Sequence, residues 1–328
     1  MKKKKIILSF DYELFFGDCS GTVQKTLIEP TNQLLDAMDS VGFKGNFFVD
    51  WQMLKYLKEE GNVRTDSDYA FIESQLKDII RRGHRIELHI HPHWVDAKYN
   101  GDGTWDFSDF KHYCLNSFTE EEIVGLFEEG TELLTNIARE VDPFYEIVAF
   151  RAGGWAIQPF QLLKPAFEKV GIKIDSSTMS GVKIITDYSS CDFINIPVSS
   201  KGYYNFADEV EKEDSEGKFI EVPISSVKLP FMSRVIGRLL RYFSSPAYPM
   251  TDGTHTRSND NPDRWFVPTK RAVCTFSAYH PVDGVLRLVN SDSDMLCYID
   301  HPKDYSKYTV KGIRMISKYA NSLLYKDL

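Results

Sequence analysis

Short apolar runs alternate with helically spaced segments along most of this chain. Lys5-Ile6-Ile7-Leu8-Ser9-Phe10 is nearly continuous in apolar residues, the pattern of a strand covered on both faces. Glu29-Pro30-Thr31 opens a helix through Met38, with Gly42 as its stop, and Lys44 to Val49 forms a second strand. Phe71, Ile72, Leu76, Ile79 and Ile80 fall at helical spacing in Tyr69 to Arg82, and Gly83 closes that helix before a strand over Arg85 to His89. A helix from Thr119 to about Glu140, with a Thr119–Glu122 capping box, precedes a strand over Tyr145 to Phe150. Gln158 to Val170 and Gly171 to Ile174 repeat the helix–strand alternation. This order predicts a parallel sheet with right-handed crossovers.

The pattern then degrades. Between Thr178 and about Lys270 only short β-like pieces stand out, Phe193 to Val198 and Lys218 to Val222, with a basic helix over Arg234 to Arg241. Ser244 to Pro268, rich in Pro, Asp and Asn, reads as inserted. Apolar strands return at Ala272 to Tyr279 and Met295 to Ile299, and a last helix is expected over Tyr305 to Leu324.

Length and charge narrow the class. At 328 residues the chain suits one α/β barrel unit, and 42% hydrophobic with 13% aromatic residues supplies a large core. A net charge of −8 argues against a nucleic-acid partner. The apolar stretch behind Lys2 to Lys5 is too short for a signal-peptide core, and no run approaches the ~20 apolar residues of a membrane span. Five scattered cysteines without a CxxC pair suit reduced thiols. The expectation is a cytoplasmic protein with no transmembrane segment.

The candidate chemistry sits at strand ends. Three of the eight histidines lie within His89-Ile90-His91-Pro92-His93, directly after a strand. Imidazole is a common ligand of zinc-like ions, so a cluster this dense points to a metal more than to surface or core histidines. If the strand ran on, all three would share a face. Pro92 argues instead for a turn after His89, which pairs His89 with His93 and directs His91 elsewhere. Asp11 and Glu13 end the first strand. Arg151 ends another, either as a surface cation or as the fork that orients a carboxylate. It is followed by Gly153 and Gly154, where backbone can approach a partner closely, and by Trp155. Asp175 and His301 end two more strands, and in a parallel barrel such ends share one rim. His280 stands in a context similar to that of His301. Aromatic residues between Asp96 and Phe118 suit either internal packing or a sugar ring. The arginine face of Arg234, Arg238 and Arg241 reads as solvated surface, with an anionic nucleotide-sugar or lipid phosphate as its alternative.

Taken in order, these pieces resemble the polysaccharide deacetylase (NodB homology) family. Ser9-Phe10-Asp11-Tyr12-Glu13 resembles its Thr-Phe-Asp-Asp motif, and Gly83-His84-Arg85-Ile86 through His93 its Gly-His-Glu-Ile followed by two histidines four apart. Phe150-Arg151 through Trp155 resembles its arginine motif, Asp175 its aspartate motif, and Ile299-Asp300-His301 its late histidine strand. The resemblance implies a single distorted (β/α) barrel over residues 1–328, with a β-rich or irregular insertion at roughly 201–270 in the C-terminal half. It implies Asp11 as general base, His301 as general acid, Arg151 orienting Asp11, and Asp175 tuning His301. It implies His89 and His93 as ligands of one divalent cation, zinc first, with nickel, cobalt and manganese as alternatives. Tyr12 stands where most members carry the metal-binding aspartate, and Glu13 is the expected replacement. Backbone near Gly153, Gly154 and Trp155 would hold the oxyanion.

The implied activity is hydrolytic removal of an acetyl group from an N-acetylated sugar. The expected substrate is a nucleotide- or lipid-linked glycan precursor of capsule or O-antigen. The alternatives are a non-catalytic sugar- or metal-binding relic of the fold, and a hydrolase of a non-sugar amide.

Overall fold

A computed structural model of the chain describes residues 3–17, 19–186, 188–244, 250–255, 265–266, 271–276 and 280–328, without the side chains of 241, 265 and 266. Much of the expected 244–268 insertion, and the end of the Ala272 to Tyr279 strand, lie outside the described residues. Strand β1 (Lys4–Tyr12) is followed by α1 (Glu29–Asp39), β2 (Asn46–Asp50), α2 (Trp51–Glu60), α3 (Val63–Arg81) and β3 (Arg85–Ile90). Next come α4 (Glu120–Arg139), β4 (Ala149–Ala152), α5 (Phe160–Val170), β5 (Ile174–Asp175), β6 (Tyr204–Phe206) and β7 (Phe219–Glu221). Helices α6 (Phe231–Phe243) and α7 (Pro281–Val289), strand β8 (Met295–Asp300), α8 (Lys307–Ile316) and β9 (Ala320–Leu323) follow, and short strands outside the main sheet form three small sheets of two or three strands.

One nine-stranded sheet runs β6-β7-β5-β4-β3-β2-β1-β8, with β9 beside β1. Its pairings are parallel except for β6 with β7. In a flat sheet β5 and β8 would stand about 24 Å apart. Instead Ser176, directly after β5, brings its hydroxyl to 3.8 Å from the Cys297 thiol of β8. Ser225, just beyond β7, donates its N–H to the Cys297 carbonyl at 2.9 Å, and its hydroxyl accepts from the Cys297 N–H at 2.9 Å. The sheet is therefore curled, and irregular backbone bridges its two ends. This is the expected distorted (β/α) barrel.

Side-chain alternation sets the two faces of the strands. Ile6, Leu8, Phe10 and Tyr12 of β1, Ile86, Leu88 and Ile90 of β3, and Phe150 and Ala152 of β4 face the large core shared with the helices. The opposite phase points inward, and part of it is polar: Ser9 and Asp11 of β1, Arg85, Glu87 and His89 of β3, and Arg151 of β4, all buried. Small barrels usually fill this interior with branched apolar residues. A polar interior at these strand ends is what makes a site available.

Several elements differ from expectation: Phe193 to Val198 forms no strand, and the strand expected from Tyr145 begins only at Ala149. Trp51–Glu60 is a helix that apolar spacing alone did not show, and α3 begins earlier than Tyr69 because Asn62 and Thr65 form a capping box. The last helix ends at Ile316, since the residues beyond it are drawn into the sheet along Lys4 to Ile7. Within 201–270, β6 and β7 belong to the main sheet.

Candidate active site

Two strands with period-two alternation place the first four groups. Asp11 and Glu13 lie two residues apart at the end of β1, so both enter the barrel mouth, while Tyr12 points the other way and donates its hydroxyl to Gln75 Oε1 at 2.8 Å. Tyr12 is thus excluded from the site, and Glu13 supplies the second carboxylate. On β3 the strand persists one residue past His89, to Ile90. His91 consequently falls on the same inner face as His89, and Pro92 opens a short 3-10 turn only afterwards (Pro92–Asp96). Glu13 Oε2 lies 2.9 Å from His89 Nε2 and 2.6 Å from His91 Nε2.

The ligand atoms of Glu13, His89 and His91 all lie within 4.8 Å of one another. The expected partner of His89 was His93; the structure brings His91 instead, because the turn begins after His91 and carries His93 off the strand. The His93 ring stacks on Tyr113, with centroids 5.5 Å apart, and meets Phe16 edge-on at 4.4 Å. Burial pushes His91 down to about 4 and His93 well below the ordinary histidine range, so both are neutral at pH 7.

The donor set fits a divalent cation. The Nδ1–H of His89 donates to the Arg151 carbonyl at 2.6 Å, which leaves Nε2 as the coordinating atom. Among the described residues, Nδ1 of His91 and both ring nitrogens of His93 are buried without a hydrogen-bond partner. Glu13 offers one oxygen, because the other accepts a 2.7 Å hydrogen bond from the Lys303 ammonium. Burial alone would raise Glu13, but Lys303 and the two imidazoles outweigh it and hold the carboxyl well below the usual range.

The remaining groups surround Asp11. Arg151, fully buried, donates from Nη1 to Asp11 Oδ1 at 2.5 Å, from Nη2 to the hydroxyls of Ser9 at 2.9 Å and Ser176 at 3.1 Å, and from Nε to the Ser176 carbonyl at 2.8 Å. Its guanidinium lies over the Phe48 ring at 4.3 Å. This network outweighs the burial penalty and keeps Asp11 ionised far below the usual carboxyl range. Asp11 Oδ2 is 3.5 Å from His301 Nε2, and His301 Nδ1 is 3.3 Å from Asp304 Oδ2. Burial alone would lower His301, yet the flanking Asp11 and Asp304 raise it to about 10, so it is an imidazolium at neutral pH. His280 has a different role: its Nδ1 accepts from Val282 N–H and caps α7.

Asp175 does not reach His301. Its carboxylate accepts from the N–H and hydroxyl of Ser177 and shares a hydrogen bond with Glu221, and burial raises both acids. The tuning expected of Asp175 falls to Asp304. Lys303 and Asp304 went unread in the sequence. The available signal was the Lys-Asp pair two and three residues past His301, within reach in a tight turn. Asp50 also went unread; it accepts from Trp94 Nε1 at 2.6 Å and from the His91 N–H at 3.3 Å, and burial pushes it up to about 7.

Gly153, Gly154 and Trp155 form one tight turn against the histidines. A Cβ on Gly153 would stand 2.6 Å from the Ile90 carbonyl oxygen and 2.7 Å from His91 Nδ1. Close approach of backbone to His91 therefore requires glycine. Gly153→Ala should displace the ring and weaken zinc binding at least tenfold, on the order of other changes that disturb ligand orientation. Calorimetric titration with zinc would measure this, and unchanged affinity would mean His91 is not a ligand.

No family model matches this chain, and no curated protein matches it. Among solved structures, 4-α-glucanotransferase from Thermococcus litoralis is similar at 14% identity and a TM-score of 0.52, over 100% of this chain and 40% of that one. The chain thus spans well under half the length of that enzyme. A putative polysaccharide deacetylase from Mycobacterium smegmatis aligns at 14% identity and a TM-score of 0.42, covering 97% of this chain and 83% of that one. Polysaccharide deacetylase Bc1974 from Bacillus cereus aligns at 10% identity and a TM-score of 0.41, covering 99% and 95%. The likeness is one of fold alone, and the fold of this chain is a curled, largely parallel sheet flanked by helices, a distorted (β/α) barrel.

Proposed function

We propose that the chain is a metal-dependent hydrolase that removes the acetyl group of an N-acetylated sugar, a precursor in surface-polysaccharide assembly. The observation that carries this reading is the pairing of an ionised Asp11, clamped by Arg151, with a protonated His301, immediately beside the Glu13–His89–His91 donor set. A carboxylate and an imidazolium on the same cleft are the acceptor and donor that amide hydrolysis needs.

Glu13, His89 and His91 would hold the cation, which supplies Lewis acidity toward a carbonyl oxygen and lowers the pKa of bound water. Asp11 accepts the proton of the attacking water. Arg151 keeps that carboxylate in one rotamer and ionised. His301 gives its proton to the departing amine, and Asp304 holds the ring through Nδ1. The turn at Gly153 to Trp155 supplies backbone beside the reacting carbonyl. Phe110, Tyr113 and the 44%-exposed Tyr188 form an aromatic rim next to His93, which suits the apolar face of a sugar ring.

The test is hydrolysis of N-acetylglucosamine oligomers and of UDP-N-acetylglucosamine, followed by acetate release. Activity should vanish with a chelator and return with zinc, nickel, cobalt or manganese. Acetate release that is indifferent to the chelator, by protein verified to be metal-free, rules the reading out.

A second reading is favoured by one contact. The Lys303 ammonium already neutralises Glu13 from 2.7 Å, as it would in a metal-free sugar-binding relic of the fold. Metal analysis of purified protein separates the two, since the relic carries no stoichiometric cation.

A further inference from the structure

Helix α6 presents its apolar face to solvent. Its sequence, Phe-Met-Ser-Arg-Val-Ile-Gly-Arg-Leu-Leu-Arg-Tyr-Phe, holds three arginines and no acidic residue, within a chain of net charge −8. At 3.6 residues per turn, Phe231, Met232, Val235, Ile236, Leu239, Tyr242 and Phe243 fall within one arc of about 140°. The arginines occupy a neighbouring stripe, in which Arg234 and Arg238 are exposed; the Arg241 side chain lies outside the described residues.

An amphipathic helix of a globular protein normally buries that apolar arc. Here Phe231 is 69% exposed, Met232 64%, Leu239 52%, and Tyr242 and Phe243 81% each. The helix docks through a third, narrow face of small residues. Ser233 accepts a hydrogen bond from Asn290 Nδ2 at 3.2 Å, and Gly237 is buried where a Cβ would stand 2.6 Å from Asp283 Oδ1 of α7. The body of the protein holds α6 by its back and turns both the apolar arc and the arginine stripe outward.

We infer that α6 is a membrane-surface anchor that seats this protein on an anionic lipid bilayer. Large apolar and aromatic side chains flanked by arginines are the composition of a helix lying in the headgroup plane. Thirteen residues span about 20 Å, too short to cross the ~30 Å bilayer core. Among the described residues no other helix is long and apolar enough to cross either. Charge complementarity selects the partner: an acidic protein offering a solely basic helix matches phosphate headgroups.

Vesicle flotation of the full chain tests it. Equal parts of phosphatidylglycerol and phosphatidylcholine should carry the protein upward, phosphatidylcholine alone should carry far less, and raised salt should release it. Each cation near such a surface strengthens partition about fivefold, so Arg234→Gln with Arg238→Gln should weaken it about thirtyfold. Leu239→Ser with Phe243→Ser should abolish binding, with the thermal transition and far-UV circular dichroism unchanged because both positions are exposed. Wild-type protein that stays at the bottom with anionic vesicles overturns the inference, as does binding that both variants retain. Sedimentation closes the remaining route: a wild-type dimer dispersed by Leu239→Ser and Phe243→Ser, without lipid binding, would make this face a contact between two copies.

Discussion

Asp11→Asn should lower acetate release by about a thousandfold or more while the protein still binds its metal. Proton transfer by a positioned group contributes about a hundred- to ten-thousandfold, and Asp11 is the ionised carboxylate that faces His301 Nε2, at 3.5 Å, without belonging to the donor set. An asparagine oxygen can still accept from Arg151 Nη1, so the barrel interior keeps its geometry while the proton acceptor is lost. The ligand variants should behave differently. His91→Ala removes one of three donors and should lose metal and activity together, whereas His93→Ala should keep the metal, since its ring stacks on Tyr113 rather than meeting Glu13. Metal content by mass spectrometry and acetate release, measured on all three, decide the assignment. Metal retained in His91→Ala but lost in His93→Ala would return His93 to the donor set.

That contrast marks where sequence reading reached and where it stopped. Periodicity alone placed β1, β2, β3 and β8, because buried parallel strands are nearly continuous in apolar residues, and it placed α1, α3, α4 and α5 but neither α2 nor α7. It also placed Asp11, Glu13, His89, Arg151 and His301 at the strand ends that meet in the structure. The histidine register was not legible. Whether His91 or His93 accompanies His89 depends on whether the strand ends at His89 or at Ile90, a one-residue difference that reverses the face. Pro92 was read as ending the strand early, but a proline at the first position of the following turn leaves the residue before it extended. Asp175 illustrates a second limit. A strand-end acid can serve any neighbour on the rim, and which one it meets is fixed by curvature; it meets Ser177 and Glu221, while Asp304, three residues from His301, fills its expected place. Tyr325 was invisible for a related reason, since its hydroxyl meets Ser176, at 2.8 Å, only after a distant segment folds back.

Arg151→Met should cost the fold about 3–5 kcal/mol, the usual penalty for removing one partner of a buried ion pair. The arginine is fully buried inside the barrel, and its guanidinium serves β1 through Ser9 and Asp11, and the end of β5 through Ser176. Methionine fills much of the same volume, so the loss comes from leaving the buried Asp11 anion with only His301, at 3.5 Å, as its ion-pair partner and from the freed hydroxyls, not from a cavity. Arg151→Lys should recover only part of the stability, because a single ammonium cannot reproduce a planar fork that reaches Asp11, Ser9, Ser176 and Tyr325 at once. Adding Asp11→Asn to Arg151→Met removes the stranded charge, and the double variant should be more stable than Arg151→Met alone. Urea denaturation of wild type, Asp11→Asn, Arg151→Met and the double variant gives the coupling directly. If Arg151→Met were to cost under about 1 kcal/mol, in the range of an exposed pair, water would have to reach Asp11 freely. The ionised Asp11 facing a charged His301 would then owe nothing to the arginine, and the proposed chemistry would lose its organising contact.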